Sequence, residues 1–143
     1  MSERHLTLSA AQLFLIDGNK VLLHRRKGGW GNGMWDATVS GHVEVGESLI
    51  DCLKRETKEE IGVRINRKDI IFINICHDNG GLSYYNGNFF VNRCSGIPRI
   101  CEPDKSSELK WFNLKRLPRD LLPNRRQAIK DYIAGKTYNE IGW

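Results

Sequence analysis

The segment Arg55 to Glu60, RETKEE, places carboxylates at positions 56, 59 and 60. On a helix those spacings put the three side chains within an arc of roughly 100°. Like charges so close repel, and carboxylates near a helix C-terminus also meet the negative end of its dipole. A divalent cation would remove that penalty, because Mg²⁺ takes oxygen ligands from one or two carboxylates together with substrate phosphates and water. The competing reading is a solvated face, softened by Lys54, Arg55 and Lys58.

The elements that must position this stripe are legible. A helix is expected from about Ser48 to Ile61, with Ser48 and Asp51 as a capping box and Gly62 as a left-handed stop. Leu49, Ile50, Leu53, Thr57 and Ile61 recur at three- and four-residue steps and give it a face to bury. Upstream, AAQLFLI and KVLLHRR flank Asp17-Gly18 as a hairpin, and KGGWGNGMWDA is expected to be loop. Downstream, DIIFINIC, LSYYNGNFFVNR and LKWFNL read as strands, and NRRQAIKDYIAG reads as a second helix stopped at Gly135. Strands, helix, strands and helix in that order imply an α/β domain with a mixed sheet covered by helices.

The chain has 143 residues, and residues 1–143 read as one domain with enough mass for its own core. No apolar run is long enough to span a bilayer, and the N-terminus lacks a secretory pattern, so a cytoplasmic protein is expected. Cys52, Cys76, Cys94 and Cys101 show neither C-x-x-C nor zinc spacing and are expected to be buried free thiols. The net charge of +5 points to an anionic partner. The basic residues are dispersed and form no nucleic-acid signature, so a dedicated DNA or RNA binder is not expected.

Gly41, five residues, Glu47, seven residues, Arg55-Glu56, Glu59-Glu60, Gly62 and Val63 form a 23-residue frame that resembles the Nudix box. Thr57 departs from it, standing where the family usually has an aliphatic residue, and His42 stands where a second glycine is common. The resemblance to MutT-like Nudix hydrolases implies a Nudix-type α/β/α sandwich with a mixed central β-sheet. It also implies Mg²⁺- or Mn²⁺-dependent hydrolysis of a diphosphate linkage in a nucleoside tri- or diphosphate derivative, by attack of metal-activated water on phosphorus. Glu56, Glu59 and Glu60 would then hold metal with the Gly41 carbonyl, and an Arg55–Glu47 pair would orient the helix and its preceding loop. A surface pair between Arg55 and Glu59 is the alternative for that arginine.

Outside the box, the likeness makes Arg26, or Arg25, a candidate for substrate phosphate and Glu102 a candidate catalytic carboxylate, with Asp104 and Glu108 as substitutes. Asn124 would read a base edge, although an N-cap role alone would explain it. Tyr84, Tyr85, Phe89, Phe90 and His77 read more readily as structural. WDATVSGHVEVGES also resembles isopentenyl diphosphate isomerases, yet their cysteine motif is missing. A non-catalytic nucleotide- or RNA-binding module is a third reading, against which all box carboxylates stand. Asn79 and Gly81 occupy the positions of the family's markers for ADP-ribose and dinucleoside polyphosphates, so a nucleoside triphosphate is expected by elimination. Whether the chain forms a homodimer is left open by the sequence.

Overall fold

The computed structural model describes residues 2–143. Its centre is strand β1 (Leu8–Asp17), six of whose consecutive residues, Ala10 to Leu15, are buried. One edge of β1 is shared by two antiparallel partners, β4 (Val39–His42) along residues 10–13 and β2 (Lys20–Arg26) along residues 15–17. The other edge pairs in parallel with β6 (Tyr84–Val91). Beyond β6 lie β5 (Ile71–Asp78), antiparallel to it, and then β8 (Tyr138–Ile141), parallel to β5. On the far side β2 carries both β3 (Trp35–Asp36) and β7 (Ser106–Asn113). The sheet is therefore mixed.

Side-chain alternation along β1 creates two cores. Ala11, Leu13 and Leu15 pack with Cys52, Leu53 and Ile61 of α1 (Leu49–Ile61). Phe14, on the opposite face, packs with Ala128 and Ile129 of α2 (Pro123–Ile133). A period of two in a strand sends neighbours to opposite faces, so one strand feeds both layers. The result is the expected α/β/α sandwich.

Helix α1 has the predicted ends. Ser48 Oγ accepts the Asp51 N–H and Asp51 Oδ2 accepts the Ser48 N–H, both at 3.1 Å. Gly62 closes the helix in the left-handed region at φ 70°, where a residue with a Cβ would be strained. Thr57 faces inward as expected, and its Oγ1 is buried without a hydrogen-bond partner. Thr57→Val keeps the shape and removes the unpaired hydroxyl, so it should stabilise the protein by about 1 kcal/mol, near 3 °C in Tm. Calorimetry would check it, and a lower Tm would count against this account.

Three expectations need correction, and one strand was not foreseen. Trp35 and Asp36 leave the glycine-rich loop to form β3, because β2 offers them a free edge at His24 and Arg25. The C-terminal strand β8 carries too few residues for a recognisable alternation and forms by adding to β5. Helix α2 starts at Pro123 with Leu122 as its N-cap, so Asn124 is inside the first turn and does not cap it. Cys52 and Cys76 are buried, whereas Cys94 and Cys101 are half-exposed. Among the described residues all four thiols are free, and no helix is long and apolar enough to cross a membrane.

Candidate active site at the acidic helix

Strand β4 and helix α1 meet at Gly41 and Glu56. A Cβ built on Gly41 would lie 2.4 Å from Glu56 Cγ and 2.7 Å from its Oε1. Gly41 does not have a positive φ, so close approach, and not backbone conformation, demands glycine here. Gly41→Ala should displace Glu56 and lower kcat by about 10- to 100-fold while the fold survives. Steady-state kinetics beside a thermal melt would test this, and full activity would refute it.

Arg55 organises the carboxylates. Its Nε donates to Glu47 Oε2 at 2.7 Å and its Nη2 to Glu47 Oε1 at 2.9 Å, a two-pronged fork joining α1 to its preceding loop. That fork, helped by the Glu44 N–H, holds the Glu47 carboxyl down to about 2. The same guanidinium donates from Nη1 to Glu56 at 2.6 Å and to Glu59 at 3.3 Å, and from Nη2 to the His42 carbonyl at 3.2 Å. The support role and the i,i+4 pair thus coexist.

The three acids of the stripe differ. Glu59 is half-exposed, Glu56 is mostly covered, and Glu60 turns inward, where Oε2 accepts the Ser40 N–H at 3.3 Å. Burial, and then the charge of Glu56, push the Glu60 carboxyl well above the ordinary range. Glu60 and Glu102 line one cavity of about 30 Å³ with His24, Thr38 and Ser106. The structure therefore brings Glu102 to the stripe across a space fit for a water or an ion. Glu102 also meets Lys105 at 3.4 Å. Asp104 lies at the glycine-rich loop near Gly28, and Glu108 faces Arg25.

Arg25 and Arg26 are committed internally. Arg25 reaches Glu108, Asp120 and the Gly33 carbonyl, while Arg26 holds Asp36 at 2.9 Å and lies 5.2 Å from the Trp30 ring. Asn124 donates to Asp78 at 3.4 Å, and its Oδ1 is buried without a partner. Phe89 and Phe90 are core, and His77 stacks on Tyr85 and meets the Trp143 ring at a tilt of 55°. Tyr84 stacks on His42.

Sequence reasoning missed Asp36. It is fully buried and accepts from Arg125 at 2.6 Å as well as from Arg26, tying α2 to β3. Its partner Arg125 is 89 positions away in sequence, so no local spacing advertised the pair. Sequence reasoning also missed the Ser40 N–H that meets Glu60, since a backbone donor carries no residue signature.

A mixed sheet between two helices, with a glycine-backed acidic helix latched by an arginine fork, is the architecture of the MutT-type hydrolases. The chain belongs to the Nudix family: the NUDIX domain matches residues 6–132. The MutT NUDIX hydrolase of Burkholderia pseudomallei superposes with a TM-score of 0.81 at 25% identity, over 88% of this chain and 98% of that one. The NAD-capped RNA hydrolase NudC of Stutzerimonas stutzeri is 29% identical over 128 residues, 88% of this chain and 43% of that protein. An isopentenyl-diphosphate Delta-isomerase of Cereibacter sphaeroides is 28% identical over 131 residues, 82% of this chain and 68% of that one. The chain thus spans less than half the length of NudC.

Proposed function

We propose that residues 1–143 form one cytoplasmic Nudix hydrolase domain that cleaves a diphosphate linkage in a nucleoside tri- or diphosphate derivative with Mg²⁺ or Mn²⁺. The observation that carries this is the assembled box: Glu56 packed on Gly41, Glu60 turned inward beside it, and Arg55 forked onto Glu47.

Among the described residues no three Asp, Glu, His or Cys side chains converge ready to hold a metal ion. The donor set nevertheless fits a hard divalent cation. Glu56 and Glu60 are two neighbouring carboxylates turned inward, with Glu59 and Glu102 at the margins, and among the described residues Arg55 is the ion-pair partner of Glu56. When bound there, Mg²⁺ would lower the pKa of water and offset charge on phosphate oxygens. Glu56, Glu59 and Glu60 would hold it with the Gly41 carbonyl, and Glu102 would face the reacting phosphate from across the small cavity. Arg55 and Glu47 fix the rotamers of that set, and the ion pairs of Arg26 and Arg25 leave any further guanidinium donors for a phosphate. Asn124, whose Oδ1 has no hydrogen-bond partner, would be the residue to read a base edge.

Purified protein should turn over one class among nucleoside triphosphates, oxidised triphosphates, nucleoside diphosphates, ADP-ribose and sugar nucleotides in Mg²⁺ but not in EDTA. Glu59→Gln at full activity would sink the reading. The similarity to the isomerase sustains a second one, to be tested by isopentenyl diphosphate isomerisation. Against it, burial pushes the thiols of Cys52 and Cys76 up to about 12 and 11, which suits packing better than nucleophilic chemistry. A non-catalytic nucleotide- or RNA-binding module, the third reading, would show binding without turnover.

A further inference from the structure

A cleft of about 570 Å³ opens where α1 exits toward residues 64–69 and where β1 and β6 end. It shares no lining residue with the cavity at Glu60. Arg64, Lys68 and Arg93 line it, and among the described residues none of the three joins an ion pair. Trp111, 40% exposed, also lines the cleft. Trp30 lies against a guanidinium, Trp35 against Phe112 and Trp143 against His77. Among the described residues Trp111 has no such ring or cation partner.

We propose that this cleft is a second nucleotide-binding site, in which a base stacks on Trp111 and its phosphates meet Arg64, Lys68 and Arg93. The volume suits a ligand of mononucleotide size. An indole beside unpaired cations is the combination that takes a base and its phosphate together. Asp17 and Asp69 also line the cleft. Their carboxylates accept from ribose hydroxyls or base amino groups and oppose an occupant that is anionic throughout. One wall is braced: Arg64 and Ser95, both lining the cleft, exchange backbone hydrogen bonds at 3.2 and 2.8 Å. This site is independent of whether the acidic helix hydrolyses anything.

The ligand could be a free nucleotide or one residue of a single strand, and titration calorimetry in EDTA separates them. AMP, a five-nucleotide RNA and inorganic pyrophosphate would each be titrated into the parent protein, Trp111→Ala, Arg93→Gln and Glu56→Gln. AMP or RNA should bind, at least about tenfold more weakly in Trp111→Ala. Arg93→Gln should weaken binding and flatten its salt dependence. Glu56→Gln should bind as the parent does. RNA binding tighter than AMP identifies a strand, and equal affinity identifies a free nucleotide. Because Trp111 sits in a strand, its variant could fail to fold; the exposed Arg93 change then carries the test, with a thermal melt confirming the fold. Parent-like binding in both cleft variants, pyrophosphate binding as tightly as AMP, or no binding at all would overturn the proposal.

Discussion

In EDTA, Glu60→Gln should melt at a higher temperature than the parent chain, and in Mg²⁺ it should turn over substrate at least about 100-fold more slowly. Both effects come from one carboxylate. Glu60 is turned inward with a single backbone donor, the Ser40 N–H, and with Glu56 beside it. Burial first, and the Glu56 charge second, favour its neutral form. Glutamine keeps the shape and can still accept from Ser40, but it carries no charge to desolvate. The pH dependence follows in sign. A carboxyl whose folded pKa lies above its ordinary 4.5 contributes most stability below that value and loses it as pH rises toward the folded pKa. The parent in EDTA should therefore lose Tm between about pH 5 and 8, and the variant should lose less. Added Mg²⁺ should restore the parent at the upper end and leave the variant unmoved. A variant that melts lower in EDTA, or that keeps full turnover, would remove Glu60 from the metal set.

The legibility of this chain follows the range of the interactions. Ser48, Asp51 and Gly62 were readable because capping is decided within three or four residues, and the Arg55–Glu47 fork because the box places both at fixed spacing. The crossing of Gly41 against Glu56 was implied by the family frame, while its physical reason, a contact that no Cβ could tolerate, needed coordinates. Trp35 and Asp36 escaped because two residues between glycines carry no period, and their strand exists only because β2 has an edge to fill. Asn124 was misread as an N-cap since Pro123 before it takes the first helical position and passes the cap to Leu122. The cleft at Trp111 was illegible for a related reason. Its cations come from residues 64, 68 and 93, dispersed along the chain, so a search for clustered basic residues could not find them.

The largest loss of stability should come from Asp36→Ala, about 3–5 kcal/mol, or some ~10 °C in Tm. Asp36 is wholly enclosed, and burial alone would raise its pKa. Arg125 first, then His24 and Arg26, overcome this and bring it down to about 2. Oδ1 accepts from Arg125 Nε at 2.6 Å and from the Ala37 N–H at 2.7 Å, and Oδ2 accepts from Arg26 at 2.9 Å. Removing the carboxylate strands Arg125, only 6% exposed, without a counter-charge. The cost is that of the orphaned cation, so Asp36→Leu combined with Arg125→Met should recover most of it. A folded pKa below the ordinary 3.8 means that this stability is present above 3.8 and is lost as pH falls toward 2. Asp36→Asn should accordingly flatten the acid limb of a pH–Tm curve below about pH 4. Because Asp36 also holds Arg26, the same variant releases the guanidinium proposed to meet a substrate phosphate, and KM should change more than kcat. A parent-like acid limb with unchanged KM would show that Asp36 neither anchors α2 through its charge nor positions Arg26.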